Sequence, residues 1–276
     1  MIRKKRLFSV GSKIAFIGGG RMAEAVICGL LKSKKISPEK IIVSDIKKDR
    51  LDYLKREYGI NFVRNNQEAL KCSKIVVLAV KPQNFPDAIV NLDFSEVDIV
   101  ISIAAGITID YLKRFVGVKS VIRAMPNNPA LIQEGITAIS PSCDSREKDI
   151  KLAEFVFSTV GRVVQIKESL MDAVTALSGS GPGFVYFFIE AMIEAGESLG
   201  FVKSVSEELA VQTFFGSIQT LLKTKKSARE LREMVTSPGG TTRAGLDVLE
   251  SGKFKEVFLE AVKAAAERSK SLSQKS

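Results

Sequence analysis

Apolar residues in the first half of the chain fall in short unbroken runs: Lys13 to Ile17, Ile41 to Ser44, Ile75 to Ala79, Ile99 to Ile103, Val121 to Met125, Ile136 to Ser140 and Arg162 to Ile166. Each run is rich in Val and Ile and apolar on both faces, the pattern of strands covered on both sides. Between them, Met22 to Lys32, Arg50 to Tyr58 and Arg146 to Thr159 repeat apolar residues at helical spacing. Alternating strand and helix predicts an α/β domain over residues 13–167, a Rossmann-like, doubly wound and mostly parallel sheet.

From Glu168 the pattern changes. Pro182 to Leu199, Val205 to Lys223, Ala228 to Met234 and Thr242 to Ser269 read as helices with no strand among them, so residues 168–276 are expected to form an all-α domain. In the first of these helices Phe184, Val185, Phe187, Phe188, Ile189, Met192, Ile193 and Leu199 leave only a stripe of Glu190, Glu194 and Glu197, which predicts burial on most sides. A domain of about 100 residues has a limited core of its own, so a second subunit is expected to cover part of it. The Ser- and Lys-rich tail from Ser269 is expected to fray.

Charge and composition narrow the chemistry. The 276 residues carry 41 Lys and Arg against 31 Asp and Glu, a net charge of +10, with no histidine. The basic residues are scattered, with short runs only at Arg3 to Arg6, Lys34-Lys35, Lys47-Lys48 and Lys223 to Lys226, and no aromatic residues interleave them. That describes a solvated surface suited to anionic small molecules rather than a nucleic-acid partner. The absence of histidine excludes His-containing triads, His-ligated zinc and a histidine general acid. Cys28, Cys72 and Cys143 lie far apart, so neither a disulfide framework nor a metal site is expected. No unbroken apolar run reaches the ~18 residues of a membrane span. Ile14 to Ile17, after the basic start Met1 to Arg6, is too short for a secretory core, and a cytoplasmic location without a membrane partner is expected.

Phe16-Ile17-Gly18-Gly19-Gly20-Arg21-Met22-Ala23 follows the first strand and opens the first helix, matching G-x-G-x-x-A. Gly18 permits the tight turn, Gly20 admits a pyrophosphate to the backbone, and Ala23 allows helix to pack closely on strand. The second strand ends at Ser44-Asp45. An acidic residue there binds a ribose 2′-hydroxyl and favours NAD, whereas Lys47, Lys48 and Arg50 just beyond suit the 2′-phosphate of NADP, and the choice stays open. Leu78-Ala79-Val80-Lys81-Pro82 and Ile103-Ala104-Ala105-Gly106 close two further strands, at the edge where such a sheet forms its ligand crevice. In the helical part, Ser178-Gly179-Ser180-Gly181-Pro182-Gly183 and Ser237-Pro238-Gly239-Gly240-Thr241-Thr242 each read as a glycine-rich turn exposing N–H groups at a helix start, a cradle for a small carboxylate or simply a capped helix.

Those segments, with Ser102-Ile103-Ala104-Ala105-Gly106 and Arg123-Ala124-Met125-Pro126-Asn127, occur in the order and spacing of pyrroline-5-carboxylate reductases, which the chain resembles from about Lys13 to Leu272. The resemblance implies reduction of L-1-pyrroline-5-carboxylate to L-proline by NADPH or NADH, the last step of proline biosynthesis. By resemblance Gly18 to Ala23 hold the pyrophosphate, Ser44 lies near the adenosine ribose, Asn66 contacts the adenosine side, and Ala79 to Pro82 with Ile103 to Ala105 line the rest of the cofactor. Glu168, Ser237, Gly239, Gly240, Thr241 and Thr242 belong to the implied substrate pocket. The resemblance also implies a homodimer through interlocked helical domains, extending to a ring such as a decamer.

A cyclic imine becomes electrophilic once its nitrogen is protonated, so a dedicated protein acid is not required. The Ser237 to Thr242 amides are expected to hold the substrate carboxylate, with the Thr242 hydroxyl on the ring nitrogen. The chain departs from the family at Asn128, where a threonine is common, at Gly183-Phe184 in place of Ala-Tyr, and at Lys225 to Ala228 in place of a Glu/His-Pro stretch. Two rival readings share the architecture. A β-hydroxyacid dehydrogenase would carry a catalytic lysine on the long helix, and Pro182 to Phe201 holds none. A non-catalytic dinucleotide-binding protein would bind cofactor without turnover.

Overall fold

The computed structural model describes residues 13–273. The basic start Met1 to Arg6 lies outside them. Eight strands form one sheet in the order β3-β2-β1-β4-β5-β6-β7-β8: β1 (Ile14–Ile17), β2 (Ile41–Ser44), β3 (Asn61–Val63), β4 (Ile75–Leu78), β5 (Ile99–Ser102), β6 (Ser120–Pro126), β7 (Gly135–Pro141) and β8 (Gly161–Gln165). The helices that cross between them are α1 (Arg21–Lys32), α2 (Lys48–Tyr58), α3 (Asn66–Lys71), α4 (Phe85–Ile89), α5 (Ile109–Val116) and α6 (Glu147–Ser158).

Alternation along β1 shows why the strands are apolar on both sides. Ile14 and Phe16 join one buried cluster with Val26, Leu30, Leu54 and Phe157, while Ala15 and Ile17 join a second with Leu70, Phe85 and Leu112. The sheet is thus covered on both faces, as the unbroken Val and Ile runs require.

One feature of the sheet, β3, lies outside the reading of the runs, and one, the β6–β7 pairing, gives the detail of a mostly parallel sheet. β3 is an additional edge strand of three residues whose side chains are exposed or half-buried, too short and too polar to leave a hydrophobic signal. β6 and β7 pair antiparallel, all other neighbours being parallel. The link between them is the single 3₁₀ segment Asn128–Ile132, too short to return the chain for a parallel crossover.

Beyond β8 come α7 (Met171–Val174), α8 (Gly181–Ser198), α9 (Lys203–Thr224), α10 (Ala228–Met234), α11 (Thr241–Ser251) and α12 (Phe254–Ser273). The chain divides into two compact units, one running to Ser180 and resuming at Ala265, the other spanning Gly181–Ala264. Within the second unit α8 and α9 approach closely, since a Cβ on Gly196 would lie 2.7 Å from the Ser206 hydroxyl. Phe184, Phe188, Phe254 and Phe258 form an aromatic cluster beside them, with the Phe184 and Phe258 rings 5.7 Å apart.

Three helical expectations are corrected. The single helix expected over Thr242 to Ser269 is two, α11 and α12, because Gly252 ends α11 and Lys253 adopts a left-handed φ of 55°. Ser269 is not frayed: it is buried and its hydroxyl donates to Asp172 Oδ1 at 2.7 Å. Ser178 to Gly183 is not an open turn. Thr175–Gly179 form a π-helical turn running into α8, and the Ser180 N–H is spent on the Thr175 carbonyl at 2.8 Å. Gly179 matters there for room, because a Cβ would sit 2.8 Å from the Met125 methyl.

The exposure of α8 also departs from expectation: within this chain it has no buried residue, and Tyr186 and Phe187 are 56% and 65% exposed. The surface is apolar but uncovered by its own chain. By length and composition the helical run Glu168–Ser198, of mean hydropathy 1.2 in its most apolar window, also meets the test for a membrane crossing.

Candidate active site

The β1–α1 loop carries the glycines at the carboxyl end of the sheet. Gly18 has φ of 100°, and a Cβ there would meet the Ala79 carbonyl oxygen at 2.6 Å, so glycine lets the loop lie against the end of β4. Its N–H donates to the Ser44 carbonyl at 2.7 Å, tying the loop to β2. Gly20 is different. It has an ordinary φ of −65° and nothing lies within 4 Å of its Cβ position, so no protein atom requires glycine there. The open space leaves room for a ligand to approach the backbone.

Gly20 is the N-cap of the twelve-residue α1 and provides no side-chain cap. The first intrahelical bond belongs to Glu24, whose N–H donates to the Gly20 carbonyl at 2.9 Å. The N–H groups of Arg21, Met22 and Ala23 therefore face outward at the positive end of the helix, and residues and loop fit a pyrophosphate. Ala23 is buried, as close helix-on-strand packing demands.

The remaining expected cofactor residues lie at the same edge of the sheet. Ala79 N–H donates to the Ile17 carbonyl at 2.8 Å and Ile103 N–H to the Leu78 carbonyl at 3.0 Å, which draws the ends of β1, β4 and β5 together. Val80 and Pro82 are half-buried, Ala104 is buried and Lys81 is exposed. Ser44 is fully buried, and its hydroxyl donates to Asn66 Oδ1 at 2.6 Å while the Asn66 amide donates to the Ala88 carbonyl at 2.9 Å. Ser44 and Asn66 thus hold each other and the start of α3.

Sequence reading passed over the polar group behind the loop. Glu24 accepts from Tyr53 at 3.0 Å and Tyr58 at 2.9 Å and pairs with the Arg50 guanidinium. Burial works against the Glu24 charge, but the hydrogen bonds from Arg50, Tyr58 and Tyr53 outweigh it and hold the carboxyl below its ordinary range. Burial and that same carboxylate push the Tyr58 phenol upward. No local spacing reveals this cluster, since its members come from two helices.

Arg123 opens one of the segments that carry the family resemblance, and a charge inside the apolar run Val121 to Met125 is the signal of a role the sequence reading did not assign. It is 4% exposed, with Glu168 Oε1 at 3.4 Å and Asp172 at 3.9 Å. A buried guanidinium needs such partners. Glu168 Oε1 also accepts the Ile109 N–H at 2.7 Å, placing its charge at the N-terminus of α5.

In the second unit, Ser237 to Thr242 forms a turn into α11. Gly239 has φ of 69°, the Gly240 N–H donates to the Ser237 carbonyl at 3.0 Å, and a Cβ on Gly240 would strike the Ser237 hydroxyl. Both glycines are required by the turn itself. Gly240 is the N-cap, again without a side-chain cap, and Thr242 sits inside the first turn, so its hydroxyl does not cap the helix. Thr241 and Thr242 are exposed, and the first-turn N–H groups lack intrahelical partners. Among the described residues no cluster of His, Cys, Asp or Glu could hold a metal.

A glycine loop that fits a pyrophosphate on a doubly wound sheet, followed by helices with uncovered apolar faces, is the architecture of dinucleotide-dependent oxidoreductases. Residues 13–106 match the family described as NADP oxidoreductase coenzyme F420-dependent, and residues 168–272 match Pyrroline-5-carboxylate reductase dimerisation. The chain is 39% identical over 264 residues to the pyrroline-5-carboxylate reductase of Synechocystis, covering 95% of this chain and 99% of that one. A solved pyrroline-5-carboxylate reductase from Coxiella burnetii superposes with a TM-score of 0.85 at 36% identity, covering 95% of this chain and 99% of that one. The Plasmodium falciparum enzyme, solved with NADP bound, gives 0.85 at 32% identity, covering 95% and 98%. The chain belongs to the pyrroline-5-carboxylate reductase family.

Proposed function

We propose that this protein reduces L-1-pyrroline-5-carboxylate to L-proline, with the β1–α1 loop holding NADH or NADPH and the Ser237–Thr242 turn holding the substrate. The observation that carries the residue assignment is the uncapped start of α11. Its outward N–H groups, on a turn shaped by Gly239 and Gly240, suit the substrate carboxylate. The Thr242 hydroxyl, free of any capping duty, hydrogen-bonds the ring nitrogen, its oxygen accepting the N–H of the protonated imine.

When bound, the dinucleotide supplies the hydride that reduces the imine carbon. The residues of the loop and the turn bind and orient, and most of the acceleration comes from that positioning. Gly18 to Ala23 grip the pyrophosphate, Ser44 and Asn66 shape the adenosine side, and Ala79 to Pro82 with Ile103 to Ala105 line the remainder. Glu168, which the family resemblance assigns to the substrate, is held by Arg123 and the Ile109 N–H. The division of labour follows the boundary at residue 168, cofactor before it and substrate after it.

The helical unit pairs with that of a second copy through the exposed apolar faces of α8 and α9, and the match to a dimerisation family supports this over a membrane role for Glu168–Ser198. Dimers assemble further into a ring such as a decamer, in the cytoplasm and without a nucleic-acid partner. Native mass spectrometry reads the assembly directly.

The test of the reaction follows nicotinamide absorbance with pyrroline-5-carboxylate for the parent and Thr242→Ala. Losing one positioned hydrogen bond in a closed site lowers kcat by about a hundredfold. Turnover of the variant at the parent rate removes Thr242 from the mechanism. No oxidation of either cofactor by the parent overturns the reaction itself.

A further inference from the structure

We infer that Asp45 makes this protein discriminate against the 2′-phosphate, so that it binds NADH more tightly than NADPH. The inference rests on the dinucleotide reading of the β1–α1 loop. Asp45 directly follows β2, and its Oδ2 accepts the Gly19 N–H at 2.7 Å, within the glycine loop itself. Its Oδ1 accepts the Lys47 N–H at 2.8 Å, which fixes the carboxylate in place. A carboxylate has about four lone-pair sites, so both oxygens keep capacity for ribose hydroxyl donors. A nucleotide whose pyrophosphate lies on this loop brings its adenosine ribose to the end of β2. There it meets a fixed anion, favourable to a 2′-hydroxyl and repulsive to a 2′-phosphate.

The neighbouring groups that could offset the repulsion are committed elsewhere. The Arg50 guanidinium is paired with Glu24, donates to the Gly19 carbonyl and lies 5.0 Å from the Tyr53 ring centre. Tyr53 and Tyr58 hold Glu24 in that arrangement from the other side. Lys48 pairs with Asp52 one helical turn on. The Ser44 hydroxyl proton is given to Asn66. Two exposed cations remain, Lys47 and Arg64, the latter directly after β3, which pairs with β2 through Ser44 and Val63. The carboxylate is held in place by two backbone N–H groups, whereas both cations are solvated, so the fixed anion dominates for an incoming group with no hydroxyl left to donate.

The experiment is titration calorimetry of the full-length protein with NADH and with NADPH, and with ADP-ribose and its 2′-phosphate, on the parent, Asp45→Asn and Asp45→Ser. No substrate is present, so the result stands apart from whether pyrroline-5-carboxylate is reduced. In the parent, Kd for NADH is expected to be at least about tenfold below that for NADPH, with the ADP-ribose pair showing the same ratio. Removing the charge weakens NADH and tightens NADPH, so the ratio falls toward or below one. The ratio is the readout because general loosening of the loop would weaken all four ligands together. A parent that binds NADPH as well as or better than NADH overturns the inference, as does a ratio unchanged in both variants.

Discussion

The sheet unit and the helical unit bury their apolar residues in opposite ways. Every residue of β1 is buried by its own chain, whereas α8, no less apolar, has none buried and α9 has only Ser206 and Ala210. The first unit satisfies its hydrophobic surface alone. The second leaves its apolar helix faces open, and its match to a dimerisation family makes them the surface to test for pairing with a second copy. Hydrophobic burial is therefore evidence of folding in one unit and of assembly in the other.

The most drastic way to break this contrast is a charge on the uncovered face. Phe187→Asp, at a side chain 65% exposed in the single chain, is expected to raise the dimer Kd by about a thousandfold or more, read by sedimentation, because an unpaired carboxylate would be desolvated. The fold of the sheet unit should survive it. The converse variant is Phe16→Ala, in the buried core of the sheet, which is expected to cost about 3–5 kcal/mol in chemical denaturation. Gly20→Val sharpens the comparison inside the sheet unit: no atom lies within 4 Å of its Cβ position, so the cost in unfolding free energy should be about 1 kcal/mol, that of a poor N-cap residue alone. Cofactor binding should weaken by at least about tenfold as the side chain blocks the pyrophosphate.

The smallest effect belongs to Glu24. Its folded carboxyl is held below the ordinary value of 4.5, so its contribution to stability is present above the unfolded value and is lost as pH falls through the folded one. Glu24→Gln is therefore expected to remove about 1 kcal/mol at neutral pH and progressively less as pH falls below 4.5, measured by denaturant midpoints across that range.

Much of the nucleotide half was legible because its signals are local. The Val and Ile runs, the glycines after β1 and the small residues after β4 and β5 each report on their own segment. β3 was not legible, because three exposed or half-buried edge residues carry no hydrophobic period. Ser178 to Gly183 misled for a related reason. Its glycines permit a turn, but packing against Met125 and the helical bonds on both sides draw the segment into a π-helical turn instead. The Ser237–Thr242 turn was legible because Gly239 and Gly240 serve the turn's own geometry.

Sequence by itself determined the alternation of buried strands and amphipathic helices, the position of the glycine loop, the change to helices after Glu168 and, through the absence of histidine, the exclusion of a histidine acid or ligand. Tertiary structure alone decided which charges act. Asp45, Lys47, Lys48 and Arg50 are neighbours along the chain and look interchangeable as ribose ligands, yet only the fold sets Asp45 against Gly19 and turns Arg50 to Glu24. Propensity and hydrophobic period are properties of adjacent residues, whereas an electrostatic partner is whatever the folded chain places within a few ångströms.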